Sequence, residues 1–226
     1  MRAIAIDGPS GAGKSTMARR LARELGYIYV DTGALYRAIG LYMLGFGVDV
    51  GSKNAVFPLL AGLDIKLGYI DREQRVFANG DDVSDRIRIE SVSMAASAVS
   101  AIPEVRDFLL DLQRQISKEN NVVMDGRDIG TVVLPWADVK IFLTAAPEER
   151  AQRRFEELVN RGISADYGAV LEDLKQRDYN DSHREAAPLK PADDAILVDT
   201  TEISLEESVE ILVNIVKENF GDDTFI

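Results

Sequence analysis

The chain has 226 residues, 46% of them hydrophobic, which suffices for one well-buried core with an inserted subdomain and leaves two full domains crowded. Its formal net charge of −12 repels polyphosphate backbones, so general nucleic-acid binding is disfavoured and any anion site has to be a local basic pocket. The absence of cysteine excludes disulfides, thiolate nucleophiles and cysteine zinc sites together, and the single histidine, His183, leaves no histidine cluster for a metal.

Short β-branched runs alternate with longer amphipathic segments, the pattern of a parallel sheet covered by helices. The first run predicts a strand over Ala3 to Asp7 and is followed by Gly8-Pro9-Ser10-Gly11-Ala12-Gly13-Lys14-Ser15 and a predicted helix from Lys14 to Leu25. The octet fits GxxxxGK[ST] in the strand-loop-helix setting that a phosphate-binding P-loop requires. Glycines let the backbone bend so that successive N–H groups point at an anion, and the helix adds its positive N-terminal end. Lys14 then reaches the β- and γ-phosphates of a nucleoside triphosphate, and the Ser15 hydroxyl binds Mg²⁺. The competing account is a tight glycine turn. The loop begins only a few residues after Met1, and no apolar run approaches the roughly 18 residues of a membrane span. A cytoplasmic protein without a signal peptide or membrane segment is therefore expected.

Further along, a strand is predicted at Tyr27 to Asp31 and a helix at Leu35 to Leu44. Asp31-Thr32-Gly33 at their junction, with Arg37 beyond it, offers a hydroxyl and a guanidinium to a second phosphate, or is a plain helix start. Leu63 to Tyr69 alternates apolar and polar, and Arg75 to Ala78 runs into Asn79-Gly80, a strong hairpin signal. Leu63 to roughly Val83 thus reads as a small antiparallel meander, either a cover for the second-substrate side or an ordinary edge hairpin. A helix follows at Pro103 to Lys118 and a strand at Val122 to Asp125, placing Asp125-Gly126-Arg127-Asp128 at a strand's carboxyl end, where open α/β sheets bind ligands. Asp125 there can stand behind Mg²⁺ and Arg127 can clamp a phosphate; the alternative is a turn with an internal Asp–Arg pair.

After a strand at Val139 to Leu143, a helix is predicted over Pro147 to Arg161. Arg150, Arg153 and Arg154 share one of its faces, which fits a flap carrying charge over phosphates and equally a solvated helix with pairs Glu149–Arg153 and Arg153–Glu157. Another helix is predicted from Asp166 to Asn180, and the polar stretch Arg177 to Arg184 reads as a binding segment or a frayed helix end, with His183 facing solvent. A strand at Ala195 to Asp199 and a helix at Leu205 to Asn219, opened by a capping box of Ser204 and Glu207, complete the pattern. No long heptad repeat argues for a coiled coil, and a monomer is expected.

GPSGAGKST near the start, DTGALYR from Asp31, AASAVSAIPEVR from Ala95, DGRDIGT from Asp125 and RDYNDSHREAAPL from Arg177 together resemble the bacterial cytidylate kinases, in that family's order and spacing across nearly the whole chain. The resemblance implies an α/β fold: a P-loop three-layer core with a five-stranded parallel sheet flanked by helices, a small antiparallel β insertion and a helical LID. It implies one kinase domain over 1–226, with the insertion at about 62–90 on the monophosphate-binding side and the LID at about 147–165. It further implies Mg²⁺-dependent transfer of the γ-phosphoryl group of ATP to CMP or dCMP, small-molecule partners only.

With the P-loop motif and the arginine spacing, Gly8, Pro9, Ser10, Gly11, Ala12, Gly13, Lys14, Ser15 and Thr16 are expected to hold ATP, with Ser15 on the metal, and Lys14, Arg127, Arg150, Arg154 and Arg184 to be catalytic; the next contacts are carried over from the family by position. Thr32, Arg37, Arg127 and Arg184 match contacts to the CMP phosphate, Ser97, Arg106 and Asp128 contacts to cytosine, and Arg177 and Asp181 contacts to ribose. Thr32 stands where the pattern often has serine and keeps the hydroxyl; Asn180 stands where some members carry a further basic residue. Other readings are a kinase for another acceptor, such as UMP or shikimate, and a nucleotide-dependent switch, although the NKxD and DxxG motifs of GTPase-type switches are missing.

Overall fold

The computed structural model describes residues 1–71 and 73–221; Arg72, within the expected meander, and residues 222–226 lie outside the described residues. In chain order the elements are β1 Ala3–Asp7, α1 Lys14–Leu25, β2 Ile28–Asp31, α2 Thr32–Gly45, α3 Lys53–Leu60, β3 Ile65–Ile70, β4 Glu73–Ala78, β5 Asp81–Asp82, α4 Glu90–Ser100, α5 Pro103–Glu119, β6 Val122–Gly126, β7 Val139–Thr144, α6 Pro147–Asn160, α7 Tyr167–His183, β8 Ile196–Asp199 and α8 Leu205–Phe220. Short turns at Arg86–Arg88 and Ile129–Val133 complete the list. The chain divides into two compact units, Met1–Tyr29 with Asn120–Ile226, and Val30–Glu119.

The first unit is built on the parallel sheet, whose strand order is β2-β6-β1-β7-β8. Strand β1 pairs in parallel with β6 and β7, and β7 with β8. Every residue of β1 and β6 is buried, which explains why these strands read as unbroken apolar runs closed by one polar residue. Ile4, Ile6, Val123, Ile141 and Leu143 of the sheet pack with Met17, Leu21 and Leu25 of α1 and with Val209, Leu212 and Val216 of α8. The predicted capping box is present: Glu207 N donates to Ser204 Oγ, and Ser204 N donates to Glu207 Oε2.

In the second unit, α2, α3, α4 and α5 enclose Leu35, Ile39, Met43, Val56, Val92, Val99, Val105 and Leu109. Gly40 lets α2 and α4 cross closely, since a Cβ there would lie 2.9 Å from the Ala96 nitrogen. The meander is a three-stranded sheet of order β3-β4-β5, with its second turn at Asn79-Gly80 in the left-handed conformation that the dipeptide predicts.

Several boundaries differ from the sequence reading. Helix α2 starts at Thr32, three residues before the predicted Leu35, because the Asp31 carboxylate accepts from Ala34 N and caps it. Helix α7 runs from Tyr167 to His183 with Asp166 as its cap, so the stretch read either as a binding segment or as a frayed end is helical through His183. Helices α3 and α4 were not anticipated. The first is eight residues long and contains Pro58; the second is a run of Ser, Ala and Val with no leucine stripe.

Candidate active site

The loop between β1 and α1 has the backbone its glycines predict. At Gly8, φ is +146° and a Cβ would stand 2.0 Å from the Leu143 carbonyl oxygen, so no other residue fits beside β7. Helix α1 opens at Gly13 with no side-chain cap and no acidic residue in its first turn, and its leading N–H groups are therefore aimed at the loop. Lys14 is almost wholly buried and its Nζ donates to the Pro9 carbonyl at 2.6 Å. Burial first, and the Arg127 guanidinium second, push its ammonium down to about 7, against the pull of Asp125, Asp181 and Asp7.

Behind the loop, Ser15 Oγ donates to Asp125 Oδ2 at 2.7 Å, and Tyr29 Oη donates to Asp125 Oδ1 at 3.1 Å. Among the described residues no group of three or more His, Cys, Asp or Glu could hold a metal ion by itself. A serine hydroxyl backed by a buried carboxylate is instead the hard oxygen set that suits Mg²⁺ shared with phosphate oxygens. Ser15 would hold the ion and Asp125 would orient Ser15.

The β6 end carries the next charges. Arg127 Nε donates to Asp181 Oδ2 at 2.8 Å. Burial opposes the charge on Arg127, but Asp181 and, farther off, Asp125 and Asp178 more than compensate, so its pKa is pushed up and the guanidinium stays ionised. Arg184 Nη2 reaches Asp128 Oδ1 at 3.4 Å with both side chains nearly inaccessible. The loop that holds Arg127 and Asp128 is anchored by Asp7, the last residue of β1, whose carboxylate accepts from Ile129 N at 2.7 Å and Gly130 N at 2.8 Å. Burial pushes the Asp7 carboxyl up to about 6 although these two bonds pull the other way.

The arginines of α6 do not act as one face. Arg150 is buried and donates to the Ser10 carbonyl at 2.9 Å, the Ala145 carbonyl at 2.8 Å and Asp178 Oδ2 at 2.6 Å, so it belongs to the P-loop. Arg153 bonds Glu149 and the Thr200 carbonyl, and Arg154 bonds Glu157. Arg177 pairs with Asp173 one turn earlier on α7. His183 is exposed and stacked on Tyr179, as the solvent-facing reading expects.

In the second unit, Thr32 is the buried first residue of α2, and Arg37 donates to Asp31 Oδ2 at 2.7 Å. Ser97 is half-buried on α4. The Arg106 guanidinium lies 5.5 Å from the Tyr36 ring centroid and donates to the Ser100 carbonyl at 3.2 Å. The structure thus gathers Lys14, Ser15, Asp125, Arg127, Arg150 and Asp181 in one unit and Thr32 and Arg37 in the other. Sequence reasoning missed Asp7, Tyr29, Asp178 and Gln74, whose carboxamide bonds the Asp31 backbone. Only Asp7 carried a signal, an acid closing a fully apolar strand.

The cytidylate kinase family model matches residues 4–218 of the chain. A cytidylate kinase of Caldicellulosiruptor saccharolyticus is 48% identical over 220 residues, 97% of each chain. One of Caldicellulosiruptor bescii is 51% identical over 207 residues, 92% of each chain. In fold alone, a solved structure of an uncharacterized protein from Eubacterium ventriosum is similar with a TM-score of 0.51 at 12% identity, covering 96% of this chain and 99% of its own.

Proposed function

This chain belongs to the cytidylate kinase family, and from that premise we propose that it moves the γ-phosphoryl group of ATP to CMP or dCMP, yielding ADP and CDP or dCDP. The observation that carries the residue-level reading is the Ser15–Asp125 hydrogen bond, which ties the triphosphate loop to the strand end bearing Arg127 and Asp128. Residues 8–16 take the ATP phosphates, with Lys14 on the β- and γ-groups. Ser15 would hold Mg²⁺, which would supply charge neutralisation to the phosphates.

The transferring group is held in line by Lys14, Arg127, Arg154 and Arg184 and, through the P-loop that it braces, by Arg150; Arg154 reaches it as segment 147–165 closes as a LID and excludes water. No general base is needed, because the attacking phosphate oxygen is already deprotonated at neutral pH. Thr32, Arg37, Arg127 and Arg184 bind the acceptor phosphate, and Arg177 and Asp181 the ribose. Ser97, Arg106 and Asp128 read cytosine, with the insertion at about 62–90 on the acceptor side. The enzyme works as a single kinase domain, a cytoplasmic monomer acting on free nucleotides. Among the described residues no helix is long and apolar enough to cross a membrane.

The test is ADP release from Mg·ATP with CMP, dCMP, UMP, AMP or no acceptor. Strong release is expected with CMP and dCMP; release without any acceptor, or a stronger response to another monophosphate, overturns the reading. A carboxylate can accept from the cytosine N4 amino group but faces the O4 acceptor of uracil, and one such mismatch costs about 1 to 3 kcal/mol. Asp128→Ala is therefore expected to shrink the CMP-over-UMP preference in kcat/KM about tenfold. An unchanged preference removes Asp128 from base recognition.

A further inference from the structure

A polar side chain of the meander reaches the start of α2. Gln74 lies on β4, opposite Tyr69 of β3, and its carboxamide grips the backbone of Asp31 with both ends. Oε1 accepts from Asp31 N at 2.8 Å and Nε2 donates to the Asp31 carbonyl at 3.2 Å. This is the pairing a neighbouring strand would offer, supplied by a side chain at the point where β2 ends and α2 begins. Both groups are ones that a chain leaving a sheet would otherwise have to satisfy with water.

Asp31 passes the constraint on. Its Oδ1 accepts from Ala34 N at 2.9 Å and its Oδ2 from Arg37 Nη2 at 2.7 Å. Fixing the Asp31 main chain thus fixes the first turn of α2, in which Thr32 is the leading residue, and the angle at which Arg37 is held. The grip comes from a stiff source: next to Gln74, Arg75 bonds Asp82 at 2.8 Å and Asp85 at 3.0 Å, and Val76 N donates to Ser84 Oγ at 2.8 Å. A long, rotamer-rich glutamine held on a braced sheet and bonded at both ends is ordered for a reason that an ordinary edge hairpin does not supply.

We propose that Gln74 is a positioning residue for the acceptor phosphate, strapping the inserted sheet to Asp31 so that Thr32 and Arg37 are held ready for it. The inference rests on the reading of Thr32 and Arg37 as CMP-phosphate contacts. It gives the insertion a defined task, since the bond it contributes acts on acceptor binding and leaves the ATP loop alone.

The experiment compares Gln74→Ala, Gln74→Glu, Arg37→Ala and the double variant Arg37→Ala with Gln74→Ala, each checked by thermal melting. Gln74→Ala is expected to raise KM for CMP about 3- to 10-fold while leaving KM for ATP within twofold. Gln74→Glu keeps an acceptor for Asp31 N but sets a negative charge against the Asp31 carbonyl and carboxylate, and is expected to raise KM for CMP at least as much. In the double variant the Gln74 effect is expected to be mostly lost, because the group it positions is gone. If Arg37→Ala weakens CMP while both Gln74 variants leave KM unchanged, or lower only the melting temperature, the strap is overturned. If Arg37→Ala itself leaves KM for CMP unchanged, it is the underlying reading of Arg37 that falls.

Discussion

Replacing Lys14 with alanine is expected to lower kcat about 10³-fold in a protein that still folds. The catalytic half follows from charge: the transferring phosphoryl group carries its charge on equatorial oxygens, and a preorganised ammonium in a site that excludes water acts there at low dielectric. The folding half follows from linkage. The ammonium of Lys14 is pushed down from 10.5 to about 7, so between these values the unfolded chain binds more protons than the folded one. Lys14 therefore makes stability rise with pH across that window, and below it the buried charge is a cost that alanine removes. The variant is expected to melt no lower than the parent at pH 6.5, and the parent's gain in melting temperature toward pH 9 is expected to shrink in it.

ATP adds a second readout of the same group. At pH 8 the Lys14 amine is mostly neutral, and a bound triphosphate pulls its pKa back up, so binding takes up roughly one proton. Calorimetric titration in buffers of differing ionisation enthalpy measures that uptake, which Lys14→Ala is expected to abolish. Near-normal turnover in a folded Lys14→Ala protein, or identical proton uptake with and without Lys14, would refute the assignment.

The P-loop was legible because its chemistry is local: glycine, lysine and serine at fixed offsets between a strand and a helix leave few other solutions. The same holds for the Asn79-Gly80 turn and the Ser204–Glu207 box, where the sequence spacing is the hydrogen-bond spacing. Helix α4 was not legible because its Ala95 and Ala96 are chosen by the crossing with Gly40 of α2, a partner more than fifty residues away in the chain. The α6 arginines show the same limit. Helical spacing put Arg150, Arg153 and Arg154 on one side, yet Ser10, Thr200 and Glu157 decide where each goes, and two of those three lie outside the helix. Tyr29 and Gln74 have ordinary strand identities, and only the fold brings them to the acid at 125 and the backbone at 31.

Arg150→Ala is expected to produce the largest loss of stability of any single change at the site. Its guanidinium is 3% exposed and uses its three nitrogens on the Ser10 carbonyl, the Ala145 carbonyl and Asp178. Alanine leaves two carbonyls without this donor and strands the Asp178 carboxylate, whose other oxygen, Oδ1, is already buried with no hydrogen-bond partner among the described residues. Breaking a fully buried pair from one side costs about 3–5 kcal/mol, and the partial exposure of Asp178 lowers this to about 2–4. For a chain of this size that is a fall in melting temperature of roughly 5–15 °C.

The same variant is expected to bind ATP less tightly, because the Ser10 carbonyl, and with it the P-loop, loses its tie to α6. The two losses have different origins and separate in the variant carrying both Arg150→Ala and Asp178→Asn. Removing the stranded charge recovers much of the melting temperature, whereas the untied loop keeps ATP affinity low. Melting curves and equilibrium binding of ATP decide the matter. If Arg150→Ala melts within a degree or two of the parent and binds ATP equally well, Arg150 is a solvated surface arginine after all, and the helix-face account of α6 replaces the one built on its burial.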